Sequence, residues 1–231
     1  MKVRIRFSKT GIMKYIGHLD VMHFFQQLLR RSGVPIAYSG GMSPHQIMSF
    51  ALPLGIGLES LGEYLDIELT AAMSSQEAIE RMNGQTVEGI EILSFRALPE
   101  KAQNAMASVA AADYFIDLAK TGLFSGEEEL SEKLTAFLQR PTLPVIKKTK
   151  KNEQEIDLRP LIYEGQVKDG GLFFRLSCGS VDNIKPALVM DAFFRENGLT
   201  DAPDLSVTRY DLYTGGESGY LSLDAVGTDI P

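Results

Sequence analysis

Val3-Arg4-Ile5-Arg6-Phe7, followed after Lys9-Thr10-Gly11 by the helical stripe Val21, Met22, Phe25, Leu28 and Leu29, decides how this chain is read. The first stretch alternates apolar and basic residues, the period of a strand with Val3, Ile5 and Phe7 on one face and Arg4 and Arg6 on the other. The second repeats at helical spacing over residues 18–32. Asp20 sits in its first turn, Arg30 and Arg31 in its last, where the helix dipole favours each sign, and Gly33 stops it. Residues 46–54 and 63–69 read as two strands around Gly55-Ile56-Gly57. Ser74-Ser75-Gln76-Glu77 is a capping box that opens a short helix, closed by Asn83-Gly84, and residues 90–96 return as a strand. The order is β-α-β-β-α-β, the ferredoxin-like plan.

The same plan recurs further on. Residues 113–118 alternate as a strand, and Ser125-Gly126-Glu127-Glu128 is a second capping box, for a helix reaching residue 138. Strands at 145–148 and 155–162 flank a lysine-rich turn, and Asp169-Gly170-Gly171 makes a hairpin into 172–176. A helix with Pro186 in its first turn ends at Asn197-Gly198, and residues 205–213 form a last strand. The expected architecture is therefore α+β, with two ferredoxin-like (βαββαβ-type) halves on antiparallel sheets. Residues 1–98 form the first half, 99–112 a linker rich in small residues, 113–213 the second half with one additional strand, and 214–231 a loose glycine-rich tail.

Composition narrows the functional classes. The chain has 231 residues, 44% of them hydrophobic and 23% charged, which is ordinary globular usage. No apolar run approaches the roughly 18–20 residues of a membrane span, and the N-terminus shows no signal-peptide core. The single cysteine, Cys178, excludes an internal disulfide and any cysteine-only metal or iron–sulfur site within this chain. A cytoplasmic protein with no membrane partner and no cofactor of its own is expected. The net charge of −7 hides an asymmetry: residues 1–50 carry Lys2, Arg4, Arg6, Lys9, Lys14, Arg30 and Arg31 against the lone acid Asp20, a local balance of +6. A local basic face steers an anion even on an acidic protein.

Two constellations carry the candidate chemistry. His18, in Tyr15-Ile16-Gly17-His18-Leu19-Asp20, stands where a helix N-terminus leaves backbone N–H groups for phosphate or carboxylate, and His45 follows the flexible Gly40-Gly41. Either histidine can donate to an anion or move a proton near neutral pH; local hydrogen bonding is the plainer role. His18 and His23 are five residues apart, which spreads them around the helix and argues against a metal site. Gly55-Ile56-Gly57 lacks the third glycine and following helix of a dinucleotide loop. The other constellation is Lys147, Lys148, Lys150 and Lys151, a hairpin tip suited to phosphate contact and partly balanced by Glu153, Glu155 and Asp157. Cys178 has no base beside it in sequence and reads as a buried thiol.

The segments Phe7-Ser8-Lys9-Thr10-Gly11, Tyr15 to Asp20, Ser49-Phe50-Ala51-Leu52-Pro53-Leu54-Gly55 and Gly62-Glu63-Tyr64-Leu65-Asp66-Ile67-Glu68-Leu69 resemble the radical-SAM-linked proteins, a bacterial domain of unknown function. The similarity extends through Asp157-Leu158-Arg159-Pro160-Leu161 and covers nearly all of residues 1–213. It departs at the loop before His45: the usual Tyr-Ser-Gln-Gly-Phe-Asn-Pro-His-Pro reads Tyr38-Ser39-Gly40-Gly41-Met42-Ser43-Pro44-His45-Gln46 here, without the amide side chains. Such domains form the C-terminal part of a radical SAM protein or a separate chain encoded beside one. The resemblance thus implies a radical SAM protein as partner and, through neighbouring ribonuclease and ribosomal-protein genes, an RNA-related role. The paired halves with a histidine by the first helix also look similar to RNA-processing proteins of CRISPR systems, a likeness of fold alone.

These observations lead to two expectations of different class. One is a non-catalytic adaptor for a radical SAM enzyme that binds RNA or an RNA-bearing partner. Its phosphate contacts would be Arg4, Arg6, Lys9, Lys14, His18, Arg30, Arg31 and His45, with the lysine hairpin as a second contact. The alternative is a metal-independent ribonuclease in which His18 or His45 moves the proton. Arg4, Arg6, Lys9 and His18 are expected at the centre of the site, on the solvent face of the first sheet or in the cleft between the two halves.

Overall fold

The computed structural model describes residues 1–148, 153–179, 182–199, 203–216 and 219–231. In chain order its elements are β1 (Lys2–Lys9), α1 (His18–Arg31), β2 (Met48–Phe50), β3 (Glu59–Glu68), α2 (Ser75–Asn83), β4 (Ile90–Ala97), α3 (Ala105–Ser108), β5 (Val109–Asp117), α4 (Glu127–Leu138), β6 (Pro144–Lys148), β7 (Glu153–Asp157), β8 (Ile162–Lys168), β9 (Gly171–Ser177), α5 (Pro186–Glu196), β10 (Ser206–Gly216), β11 (Gly219–Ser222) and β12 (Thr228–Asp229). This is a mixed α/β chain whose strand pairings are mostly antiparallel. It divides into two compact units: unit 1 is 1–110 with 209–231, and unit 2 is 111–208.

In unit 1 the strands run β12-β4-β1-β3-β10, with β2 also on β3 and β11 on β10. The β1 alternation does what its period requires: Val3, Ile5 and Phe7 are buried against Val21, Phe25, Leu28 and Leu29 of α1 and Ala78 and Met82 of α2. Ser74 caps α2 by accepting the Glu77 backbone N–H at 3.2 Å. Strand β2 is shorter than the expected 46–54, because Pro53 and the turn around Gly55 cannot continue a ladder. Gly62 lets β3 and β10 approach closely: a Cβ there would stand 2.6 Å from the Tyr210 carbonyl oxygen. Gly62→Ala is expected to cost about 1–3 kcal/mol, the usual penalty for overpacking, read as a lowered urea midpoint.

The tail corrects the expectation of a loose segment. From Arg209 the chain belongs to unit 1 and completes it. Leu223 is fully buried, Ile230 packs on the core, and Thr228 and Asp229 pair with Ala97 and Arg96 along the β4 edge. Ser75 holds the end at both backbone groups, accepting the Ile230 N–H and donating its own N–H to the Ile230 carbonyl. Two apolar anchors and an otherwise open strand edge outweigh the glycine content that suggested looseness. The expected linker is ordered too: Asn104 caps α3, and β5 starts at Val109.

In unit 2 Leu130, Leu134 and Phe137 of α4 and Val189, Met190 and Phe193 of α5 are buried, β8 and β9 lie beside β5, and β6–β7 is a separate hairpin. The expected strand 155–162 is two strands, because Pro160 lacks a ladder donor and sits in a 3-10 turn, Arg159–Leu161, between them. Asp169 and Gly170 both have positive φ, the two-residue turn that joins β8 to β9. Arg175 faces Asp113 across β9 and β5 and binds it through two nitrogens, at 2.7 and 2.8 Å. The strand expected to close this half, 205–213, is β10, most of which belongs to unit 1.

Candidate functional site

Strand β1 and its partner β3 build the site from their alternation. Phe7 lies opposite Glu63 and Lys9 opposite Ser60, so the core rows 3-5-7-9 and 69-67-65-63 both end in a charged residue at the same end of the sheet. That end meets the N-terminus of α1. Gly17 is its N-cap, with the Asp20 carboxylate accepting the Gly17 N–H at 3.3 Å. His18 and Val21, one turn apart, line a pocket with Phe7, Lys9, Phe50, Leu52, Pro53, Leu54 and Glu63. Its volume is 20 Å³, room for one water molecule.

The charges in this pocket are held tightly. Lys9 is only 2% exposed and donates to the carbonyls of Lys14 at 3.3 Å and Ile16 at 3.0 Å. Burial lowers its pKa below the ordinary lysine value; the Glu63 carboxylate opposes that shift and Arg209 adds to it. Arg209 takes both Glu63 oxygens, at 2.8 and 2.5 Å, and reaches the Leu52 carbonyl at 2.9 Å. The His18 ring meets Phe50 edge-on, with centroids 5.2 Å apart. The chain segments next to the pocket residues carry exposed apolar side chains. Ile12 and Tyr15 share one face of the 3-10 turn Gly11–Tyr15. Leu19 lies in the first turn of α1. The Ile56 side chain ends 3.9 Å from where a Gly17 Cβ would be. Their exposures, 65–79%, are high for large apolar side chains.

Most of the other expected contacts lie elsewhere. Arg4, expected on a solvent face, is buried: its Nε and Nη2 bind Asp66 at 2.7 and 3.0 Å, and it donates to the carbonyls of Leu223 and Gln103. Arg6 shares that face between Tyr64 and Ser94, with its Nε buried and without a hydrogen-bond partner. Lys9 is on the opposite face, as odd-numbered residues of β1 must be, so Arg4, Arg6 and Lys9 do not form one surface. The face of Arg4 and Arg6 is not open solvent, because residues of the C-terminal segment bond across it. Tyr64 donates to Asp211, Ser94 to Asp224, and Arg96 pairs with Asp224. Burial, then the adjacent Asp211 charge, push the Tyr64 hydroxyl far above the usual tyrosine range.

Lys14 pairs with Glu59 at 3.9 Å and lies over the Tyr15 ring. Arg30 and Arg31 are exposed at the far end of α1, and fourteen residues put them about 20 Å from His18; Arg31 donates to the Gln85 carbonyl. His45 is exposed, and its Nδ1 is 2.8 Å from Ser39 Oγ, part of the closure of the 39–45 loop, which the Tyr38–Gln46 bridge completes. In unit 2, Lys147 donates to the Asn183 carbonyl and the Lys148 backbone pairs with Glu153, while Lys150 and Lys151 lie outside the described residues. No group of three or more metal-ligating side chains occurs among the described residues. Cys178 is buried beside Asn183.

The structure thus defines an α/β protein whose distinctive sequence segments converge on one end of unit 1: 7–11, 15–20, 49–55 and Glu63 all touch the pocket or its rim. The chain belongs to the family described as an uncharacterized protein conserved in bacteria (DUF2344), which matches residues 2–186. No curated protein matches the chain. No helix among the described residues is long and apolar enough to cross a membrane. No local pattern marks Arg209, whereas Glu63, a carboxylate ending the core row 69-67-65-63, signals a buried cation opposite.

Proposed function

We propose that this chain is a non-catalytic adaptor in the cytoplasm that docks a protein partner, the radical SAM protein implied by the sequence resemblance, through the α1 N-terminal end of unit 1. RNA enters this reading with the partner. The observation that supports it is the exposure of Ile12, Tyr15, Leu19 and Ile56, which lie within a few residues in sequence of Lys9, His18 and Leu54 in a pocket built from the segments that carry the resemblance. Large apolar and aromatic side chains left in water at one place suit protein docking. The cations that would grip RNA directly are engaged or dispersed: Arg4 and Lys9 hold buried bonds, Lys14 is paired, and Arg30 and Arg31 occupy the other end of α1. The reading takes unit 1 as ferredoxin-like, since β1, β2, β3 and β4 run in the order β4-β1-β3-β2 with α1 and α2 on one face.

The test is capture of the purified radical SAM protein by immobilised wild-type chain and by Tyr15→Glu/Ile56→Glu. Both positions are exposed, so folding changes little, while loss of an aromatic anchor costs about 2 kcal/mol or more, roughly a thirtyfold weaker complex. Undiminished capture overturns the proposal. In parallel, labelled cellular RNA is incubated with the protein in chelator. Cleavage that disappears in His18→Ala or His45→Ala would establish the ribonuclease alternative instead.

A further inference from the structure

We infer that the Lys9 pocket is a carboxylate site, and that the partner fills it with an acidic side chain flanked by apolar neighbours. The inference deepens the docking reading and rests on it for the identity of the occupant. Its basis is a charge balance one anion short. Lys9 and Glu63 line the pocket, and Arg209 is bonded to Glu63. Both Glu63 oxygens are taken by Arg209, so that pair cancels and the Lys9 ammonium is left over. Among the described residues Lys9 makes no ion pair; its two acceptors are backbone carbonyls. An ammonium has three N–H donors, so one remains, and a buried charge is ordinarily paired.

The space beside Lys9 fits the missing group. The pocket floor takes one water-sized atom, which a carboxylate oxygen can replace. His18 offers a second donor, and the first turn of α1 turns backbone N–H groups to the same end, where the Asp20 carboxylate takes only the Gly17 N–H. The walls, Phe7, Val21, Phe50, Leu52 and Leu54, are apolar, which strengthens a charge-assisted bond. Ile12, Tyr15, Leu19 and Ile56, exposed on the adjoining segments, would take apolar residues flanking the acid.

The experiment titrates the wild-type chain with formate, using formamide as the neutral counterpart and chloride to fix ionic strength. The ¹³Cε resonance of Lys9 and the ring signals of His18 are followed by NMR. A saturable shift at both residues is expected with formate, at a dissociation constant on the order of 1–10 mM, the range open to so small a ligand. Formamide and chloride should leave both signals in place. Lys9→Met should abolish the His18 response, and the formate–formamide contrast decides the matter in wild-type protein if that variant fails to fold. Equal response to formate and formamide, or none, overturns the inference. Formate binding alongside unchanged capture by Tyr15→Glu/Ile56→Glu would sink the docking reading and keep the site; lost capture with a silent pocket would do the reverse.

Discussion

Arg4→Ala should lower the unfolding free energy by about 3–5 kcal/mol, the cost of leaving a buried carboxylate without its cation. The side chain is 2% exposed and joins four parts of unit 1 at once. It pairs with Asp66 on β3, donates to Leu223 in the C-terminal segment and to Gln103 before α3, and shares Asp66 with the Ala105 N–H. Urea denaturation followed by circular dichroism measures the loss. Arg6→Ala is the internal control, two residues along the same face with no ion-pair partner among the described residues, and should change stability by less than about 1 kcal/mol. Equal effects of the two substitutions would show that the Asp66 pair does not organise the C-terminal segment.

Arg209→Ala should be comparably damaging, again by about 3–5 kcal/mol, because it strands the buried Glu63. It carries a second signature. Burial is the main cause of the lowered Lys9 pKa, Glu63 opposes it and Arg209 adds to it, so removing the guanidinium should move Lys9 part of the way back toward 10.5, the ordinary lysine value. The sign follows from linkage. A lysine with a native pKa below its unfolded value leaves the unfolded chain holding more protons between the two, so stability rises with pH across that interval. Arg209→Ala narrows the interval and flattens the rise. A steeper alkaline gain in the variant would contradict this arrangement of charges.

Much of the fold is legible in the local pattern. The apolar row of β1, the stripe of α1, the Ser74 cap and the Asp169-Gly170 turn each follow from periodicity or from backbone chemistry within a few residues. What escaped is the far face of the β1 sheet. Alternation says which face Arg4 and Arg6 share, and it says nothing of what covers that face. The partner of Arg4 in the C-terminal segment is Leu223, 219 residues away, and no local signal spans that separation. The parity of Lys9 was readable, and so was Glu63 at the end of the neighbouring core row. Read together, the two rows place a buried cation and a buried carboxylate at one end of the sheet, beside the helix that carries His18.

The most direct measurement of the central claim is hydrogen–deuterium exchange of the chain alone and bound to the radical SAM protein. Docking through the α1 N-terminal end predicts protection concentrated in residues 11–20 and 51–58, the segments of Ile12, Tyr15, His18, Leu19 and Ile56, with Arg30, Arg31 and the β6–β7 hairpin unchanged. Protection centred on Arg30 and Arg31 or on the lysine hairpin, with residues 11–20 and 51–58 exchanging as in the free chain, would contradict it.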